Sequence, residues 1–158
     1  MFTHLNCQSA YSFKYGTALA KDLVTRANQL EMSALALTDR DNLAGAIRFV
    51  TACKDAGIAP ILGVNIKLAG GRVTLLASSE NGWPALCRFM SGVAGQQITH
   101  QLLEELSIYT KNLFILHGHQ SQLAKSITAR REPIKEFNKY RRFFAQSYIE
   151  CVSHLTAS

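Results

Sequence analysis

Several things are scarce in this 158-residue sequence. It has one tryptophan, three prolines, and four cysteines (Cys7, Cys53, Cys87 and Cys151) that lie far apart and form no CxxC pair. Widely spaced single thiols argue against a zinc knuckle or a disulfide framework and for buried thiols in a reducing cytoplasm. No apolar run approaches the roughly 20 residues needed to cross a bilayer, so no membrane role is expected. Met1–Asn6 has neither a basic nor an apolar leader pattern, which predicts no signal peptide. A glycine-rich phosphate loop ending in Lys-Ser/Thr is missing, and so is a GxSxG elbow, which sets aside P-loop and α/β-hydrolase chemistry. Acidic residues are also few, 11 against 17 lysines and arginines, for a net charge of +6. The excess is concentrated between positions 125 and 142. There Lys125, Arg130, Arg131, Lys135, Lys139, Arg141 and Arg142 face only Glu132 and Glu136. Such a patch suits nucleic acid or an acidic partner, or simply a solvated helix face.

The chain is long enough for one domain with a sizeable core. Its organising stretch is Ala34–Ala46, where an apolar run ends in Thr38-Asp39-Arg40-Asp41 and a helical pattern follows at once. A buried strand delivers polar side chains to the carboxyl edge of a parallel sheet in this way. Taken in order, 2–5 reads as a strand, and Thr17 caps a helix burying Leu19, Leu23, Ala27 and Leu30. A strand at 33–38 is followed by a helix capped by Asn42 that buries Leu43, Ala46, Ile47, Val50 and Cys53 and stops at Gly57. Strand 58–68, a turn at Gly70-Gly71 and strand 72–77 form a hairpin. Helix 81–93 carries Trp83, Leu86, Phe89 and Met90 on one face, more plausibly core than ligand box. Thr99 caps a short helix, and 112–117 is a buried strand. Helical material from 121 to 144 is interrupted near Pro133, and 148–152 is a last strand. Strands alternating with helices predict an α/β fold with mostly parallel strands.

Metal-ligand types at the strand ends are His4, Asp39, Asp41, His117 and His119. They converge with neutral Asn6, Gln8 and Asn65 and with Arg40, which would repel a cation. A hydrolytic metal site wants imidazoles and carboxylates together, so this set predicts no working multinuclear centre. The bland readings are that Asp39 holds a helix start, that His117-Gly118-His119 is a turn with two solvated imidazoles, and that Cys7 is a small buried residue.

Phe2–Phe13, Leu35–Ala46, Gly57–Gly63, Leu75–Ala77 with Asn81–Arg88, and Phe144–His154 together resemble, in order, the start of the bacterial C-family DNA polymerases. These are the alpha subunit of DNA polymerase III and its error-prone relatives. The resemblance implies an N-terminal PHP (polymerase and histidinol phosphatase) domain, a distorted β/α barrel that is partial or complete over residues 1–158. Active PHP domains hold metals with an HxH, an Asp-His pair and a glutamate. By position these fall on Asn6 and Gln8, on Asp39 and Arg40, and on Asn65, so only Asp39 is retained. The later ligand strands and the polymerase palm, with its Mg²⁺ carboxylates, would follow Ser158. The expectation is an N-terminal fragment in a cytoplasmic DNA replication or repair polymerase, a nucleotidyltransferase. The chain itself is expected to be inactive and to hold no cofactor. Its role would be to support the remainder of the polymerase chain or to dock replisome proteins such as a proofreading exonuclease. One alternative is an active phosphoesterase or 3′-5′ exonuclease using Zn²⁺ or Mn²⁺ on Asp39, His4, His117 and His119. Another is a small basic DNA-binding module built on the 125–142 patch.

Overall fold

Residues 2–68 and 70–151 are described by a computed structural model. Strands β1 (Ala34–Leu37), β2 (Ala59–Leu68), β3 (Gly71–Ala77), β4 (Leu113–His117) and β5 (Gln146–Ile149) form one sheet in sequence order. β1 and β2 are parallel, as are β4 and β5; β3 runs antiparallel to both its neighbours. Four of the five strands therefore share one direction. Helices α1 (Ala20–Gln29), α2 (Ala46–Ala56), α3 (Gly82–Val93), α4 (His100–Glu105), α5 (Ser107–Thr110), α6 (Gln122–Thr128) and α7 (Pro133–Arg141) fill the connections.

The period of two along each strand decides what faces where. Leu35, Leu37, Val64, Ile66, Leu68, Val73, Leu75, Leu113 and Ile115 lie in the two clusters packed beneath helices. The alternate residues Ala36, Leu76 and Leu116, with Ile61 and Phe114, form a separate small cluster on the opposite face. The larger core gathers Leu86 and Phe89 of α3, Leu103 of α4, and Tyr140 of α7 with Phe143 and Phe144. Trp83 and Met90 pack against it, so the α3 stripe is core as expected.

Several local expectations need correction. Residues 2–5 are not a strand, although Ala36 donates to His4 O at 2.9 Å and Thr38 to Cys7 O at 2.7 Å. Three residues on one side span two on the other, so no constant register forms. Thr17 does not cap α1; the helix begins at Ala20, because Ala18 O is taken by Ala10 N–H. The buried face is Ala20, Val24 and Ala27, leaving Leu19 and Leu30 exposed. Asn42 caps no helix either: its side chain accepts from Ala44 N–H and donates to Tyr11 O and Arg40 O, clamping a turn. α2 starts after Gly45 and buries Ala46, Phe49 and Cys53, with Ile47 exposed. Gly57 ends it at φ +69°, the left-handed conformation glycine adopts cheaply. β5 lies two residues earlier than expected, and Val152 and His154 fall outside the described residues.

Candidate functional site

The sheet's carboxyl edge brings together Asn6, Gln8, Arg40, Asn65 and His119, as the sequence suggested. With them stand Arg72, Thr74, Gln120 and Glu150, which it did not single out. They line a cavity of about 50 Å³. Alternation explains the membership. Arg40 continues the inward series of Ala36 and Thr38 and bridges in parallel to Asn65. Asn65 pairs with Thr74, and Lys67 with Arg72, across the hairpin. The Gly70-Gly71 turn carried the signal for Arg72 and Thr74, since a hairpin register fixes which residues face each other.

Asp39 is on the other side of that alternation. It is 2% exposed, and its carboxylate is consumed by the preceding loop. Oδ1 accepts from Ser9 N–H and Ser12 Oγ–H, both at 2.7 Å, and Oδ2 accepts from Ser9 Oγ–H at 2.8 Å. A Cβ at Gly45 would stand 2.9 Å from Oδ2, so glycine there lets the start of α2 close over the carboxylate. The retained acid is thus a loop anchor pointing away from the cavity.

Arg40 occupies the cavity side. Its Nε–H donates to Gln8 Oε1 and its Nη2–H to Gln120 Oε1, each at 3.3 Å, and its guanidinium lies 3.3 Å from the Tyr15 ring centre. Arg72 is held more tightly. Nε–H donates to Asn65 Oδ1 at 2.6 Å, and Nη2 reaches Asn65 O at 2.7 Å and Asp41 Oδ2 at 2.8 Å. Asn65 also donates to Thr74 Oγ1 at 3.1 Å. Asn6 accepts from Thr38 Oγ–H and donates to Glu150 Oε2 at 3.2 Å.

The other proposed ligands are scattered. His4 is exposed against Phe2, and Asp41 is exposed in its ion pair with Arg72. His117 corrects the picture of a solvated turn. It is 1% exposed, on the helix side with Ile115, beside Phe137 and Tyr140, and neither ring nitrogen has a hydrogen-bond partner. Burial pushes its pKa down to about 4, against a smaller upward pull from Glu136. His119, exposed at the cavity, does not share a face with it. Burial, and then Glu150, pushes the Cys7 thiol up to about 11, which suits an inert residue rather than a nucleophile. Among the described residues no three His, Cys, Asp or Glu side chains gather as a metal site. The cavity wall has two guanidiniums, four neutral amides, one imidazole (His119) and one carboxylate (Glu150), a set that falls short of what a divalent cation takes.

All seven cations at 125–142 are exposed. Lys125 donates to Gly70 O, Lys135 pairs with Glu132, Lys139 pairs with Glu136, and Arg142 lies over Phe143.

Comparison with known proteins gives this geometry its context. Among solved structures, a Bifidobacterium adolescentis protein assigned as a metal-dependent phosphoesterase superposes with a TM-score of 0.61 at 12% identity. The match covers 92% of this chain and 76% of that one. A two-domain Bacteroides vulgatus protein with a PHP-like phosphoesterase domain gives 0.55 at 15% identity, over 74% and 34%. These establish the fold, the distorted barrel of the PHP-like phosphoesterases. By sequence, the DNA polymerase III subunit alpha of Buchnera aphidicola from Acyrthosiphon pisum is 30% identical over 93% of this chain. The error-prone DNA polymerase of Symbiobacterium thermophilum is 42% identical over 57% of it. The chain spans 14% and 8% of the length of those two relatives. The PHP domain family model matches residues 4–154, and the chain belongs to the PHP domain family.

Proposed function

We propose that this chain is the N-terminal PHP module of a DNA polymerase III alpha-type or error-prone polymerase, a non-hydrolytic support for the rest of that polymerase in the cytoplasm. The observation that carries the reading is the replacement of a cation site by a cation. Arg40 lines the cavity, while the retained acid, Asp39, is spent on Ser9 and Ser12. Support for an intramolecular partner comes from the partly bare inner face. Ile61, Leu76, Phe114 and Leu116, with Leu5, Tyr148 and Ile149, line an open apolar groove of about 560 Å³ beside the outer edge of β5. The remainder of a polymerase chain is the partner that relatives of this length suggest, with a proofreading exonuclease or other replisome protein as the docking alternative. Mg²⁺ chemistry then belongs to the parent's palm, and the Zn²⁺ or Mn²⁺ phosphoesterase reading loses its ligands. Metal analysis of the purified chain, with a phosphodiester and single-stranded DNA assayed in added Mn²⁺ or Zn²⁺, tests this. No stoichiometric metal and no turnover is expected; a stoichiometric bound metal with metal-dependent turnover would overturn it.

A second reading is favoured by one observation, the exposure of all seven cations of the 125–142 patch. As a DNA-binding surface, it would bind duplex and single strands with affinity that falls steeply with salt. Charge reversal at Arg130, Arg131, Arg141 and Arg142 removes that binding if the reading holds.

A further inference from the structure

Helices α6 and α7 pack against each other, and their outward side is not built like a solvated face. Along α7, Tyr140 is buried and Phe137 is half-buried beside His117. Ile134, Asn138 and Arg141, spaced i, i+4 and i+7, form the opposite, outward stripe. Ile134 is 76% exposed there, and Ile127, in the last turn of α6, is 49% exposed. The two isoleucines bracket the turn that carries Arg130 and Arg131. Glu132, Pro133, Ile134, Lys135 and Asn138 line an open hollow of about 490 Å³ beside the stripe.

That turn is fixed at a cost. Arg130 and Glu132 hold positive φ, +52° and +27°, where glycine or asparagine would sit more easily. Arg130 N–H donates to Ile127 O at 3.1 Å and Arg131 N–H to Ser126 O at 2.8 Å, so the backbone under both guanidiniums is set. Of the cations between 125 and 142, Lys125 reaches Gly70 O, Lys135 pairs with Glu132, Lys139 pairs with Glu136, and Arg142 lies over Phe143. The side chains of Arg130, Arg131 and Arg141 have no partner among the described residues.

We infer that this surface docks an acidic segment of a partner protein, its carboxylates on Arg130, Arg131 and Arg141 and one large apolar side chain in the hollow against Ile134. Charge and apolar area together select that partner. Seven cations against Glu132 and Glu136 leave the stretch at +5, which draws in any polyanion. Guanidinium forks then take carboxylates through paired hydrogen bonds. A nucleic-acid strand shares the attraction but gains nothing from exposed isoleucines. The two helices also offer its bases no free ring, since Phe137 and Tyr140 pack on His117. A lipid surface asks for a whole apolar helix face, and Ile134 is the one large apolar side chain that α7 exposes. Glu132, at the rim of the hollow, repels a carboxylate and so reserves that place for the apolar side chain. Docking here is independent of the polymerase reading, because neither α6 nor α7 supplies a group to its metal test.

The test uses the 158-residue chain and a labelled peptide of about fifteen residues, read by fluorescence anisotropy at about 0.15 M salt. In the peptide, aspartates and glutamates alternate with leucines and phenylalanines. Its controls are a peptide of the same charge with serine at every apolar position, a single-stranded oligonucleotide, and vesicles of anionic phospholipid. The expected result is at least tenfold tighter binding of the apolar acidic peptide than of any control. Ile134→Ser should abolish the margin over the serine peptide while leaving binding of the serine peptide and the oligonucleotide unchanged. Arg131→Glu with Arg141→Glu should weaken both peptides more than tenfold. All three positions are exposed, so the unfolding transition should not move in either variant. Equal binding of the two acidic peptides overturns the inference. So do tighter binding of the oligonucleotide or the vesicles, a margin that survives Ile134→Ser, and no binding of the peptide at all.

Discussion

Three donors converge on the Asp39 carboxylate in a place that water does not reach, so removing the acid strands all of them. Each buried donor left unpaired costs about 1–3 kcal/mol, so Asp39→Ala should destabilise the chain by at least about 3 kcal/mol in urea unfolding. A residue serving only as a metal ligand would leave stability of the metal-free chain unchanged or raised. His117 gives the second prediction at this scale. Its folded pKa, about 4, lies below the ordinary value of 6.5, so the unfolded chain takes up the proton first as pH falls. The His117 contribution to stability should be flat above pH 7, decline between about 6.5 and 4, and level off below, a total of order 3 kcal/mol. Unfolding midpoints at pH 7 and 4.5 should converge in His117→Leu. If they still diverge as in the parent chain, the buried imidazole is not the source. The site residues were legible unevenly, and Asn6, Gln8, Arg40 and Asn65 do share the cavity. Counting alternation outward from Leu37 and Ile115 would have shown that Asp39 and His117 point to the helix side. Glu150 gave no signal, because its place depends on where β5 starts.

Elements follow the apolar periodicity closely and their ends poorly. Strands β1 to β4 lie within one residue of where alternation and apolar runs placed them, because burial against helices decides them, whereas the mostly exposed β5 ends three residues early and the strand expected at 2–5 is not formed. Start signals failed for α1 and α2, since Thr17 is displaced by the loop contact of Ala18 and Asn42 is drawn into a turn. Thr99 and Ser121 do cap their helices, accepting from Leu102 and Ala124 N–H at 3.2 and 3.1 Å. Stop signals were sounder, and glycines test this. At Gly57 nothing lies within 4 Å of an added Cβ, so Gly57→Ala meets only the left-handed backbone penalty, about 1 kcal/mol. Gly63 in β2 is the opposite case: an added Cβ meets Leu75 O at 2.4 Å. Gly63→Ala must push β2 from β3 and should cost several-fold more in a thermal melt. Similar losses at both positions would refute this division between conformational and steric roles.

Over the whole molecule, the helices cover one face of the sheet and leave the inner face partly bare. Tyr148 and Ile149 are 46% and 56% exposed beside Leu5 and Phe114, at the strand whose outer edge has no partner among the described residues. An apolar patch next to an open edge invites pairing between chains. Sedimentation of the isolated chain should therefore show association that rises with concentration. Ile149→Lys should reduce it without altering the fold by circular dichroism, and a parent chain monomeric at all concentrations would contradict the reading.

The order of the strands has a consequence for synthesis. Each strand lies against the one made just before it, and no later segment has to be threaded between two earlier ones. A chain leaving the ribosome amino-terminus first can lay down this sheet as it emerges, β1 with β2, then the β3 hairpin, then β4 and β5. The longest wait falls between β3 and β4, while α3, α4 and α5 are translated. During it the half-made sheet already carries Asp39 and its loop, so that corner is fixed before β4 and β5 appear.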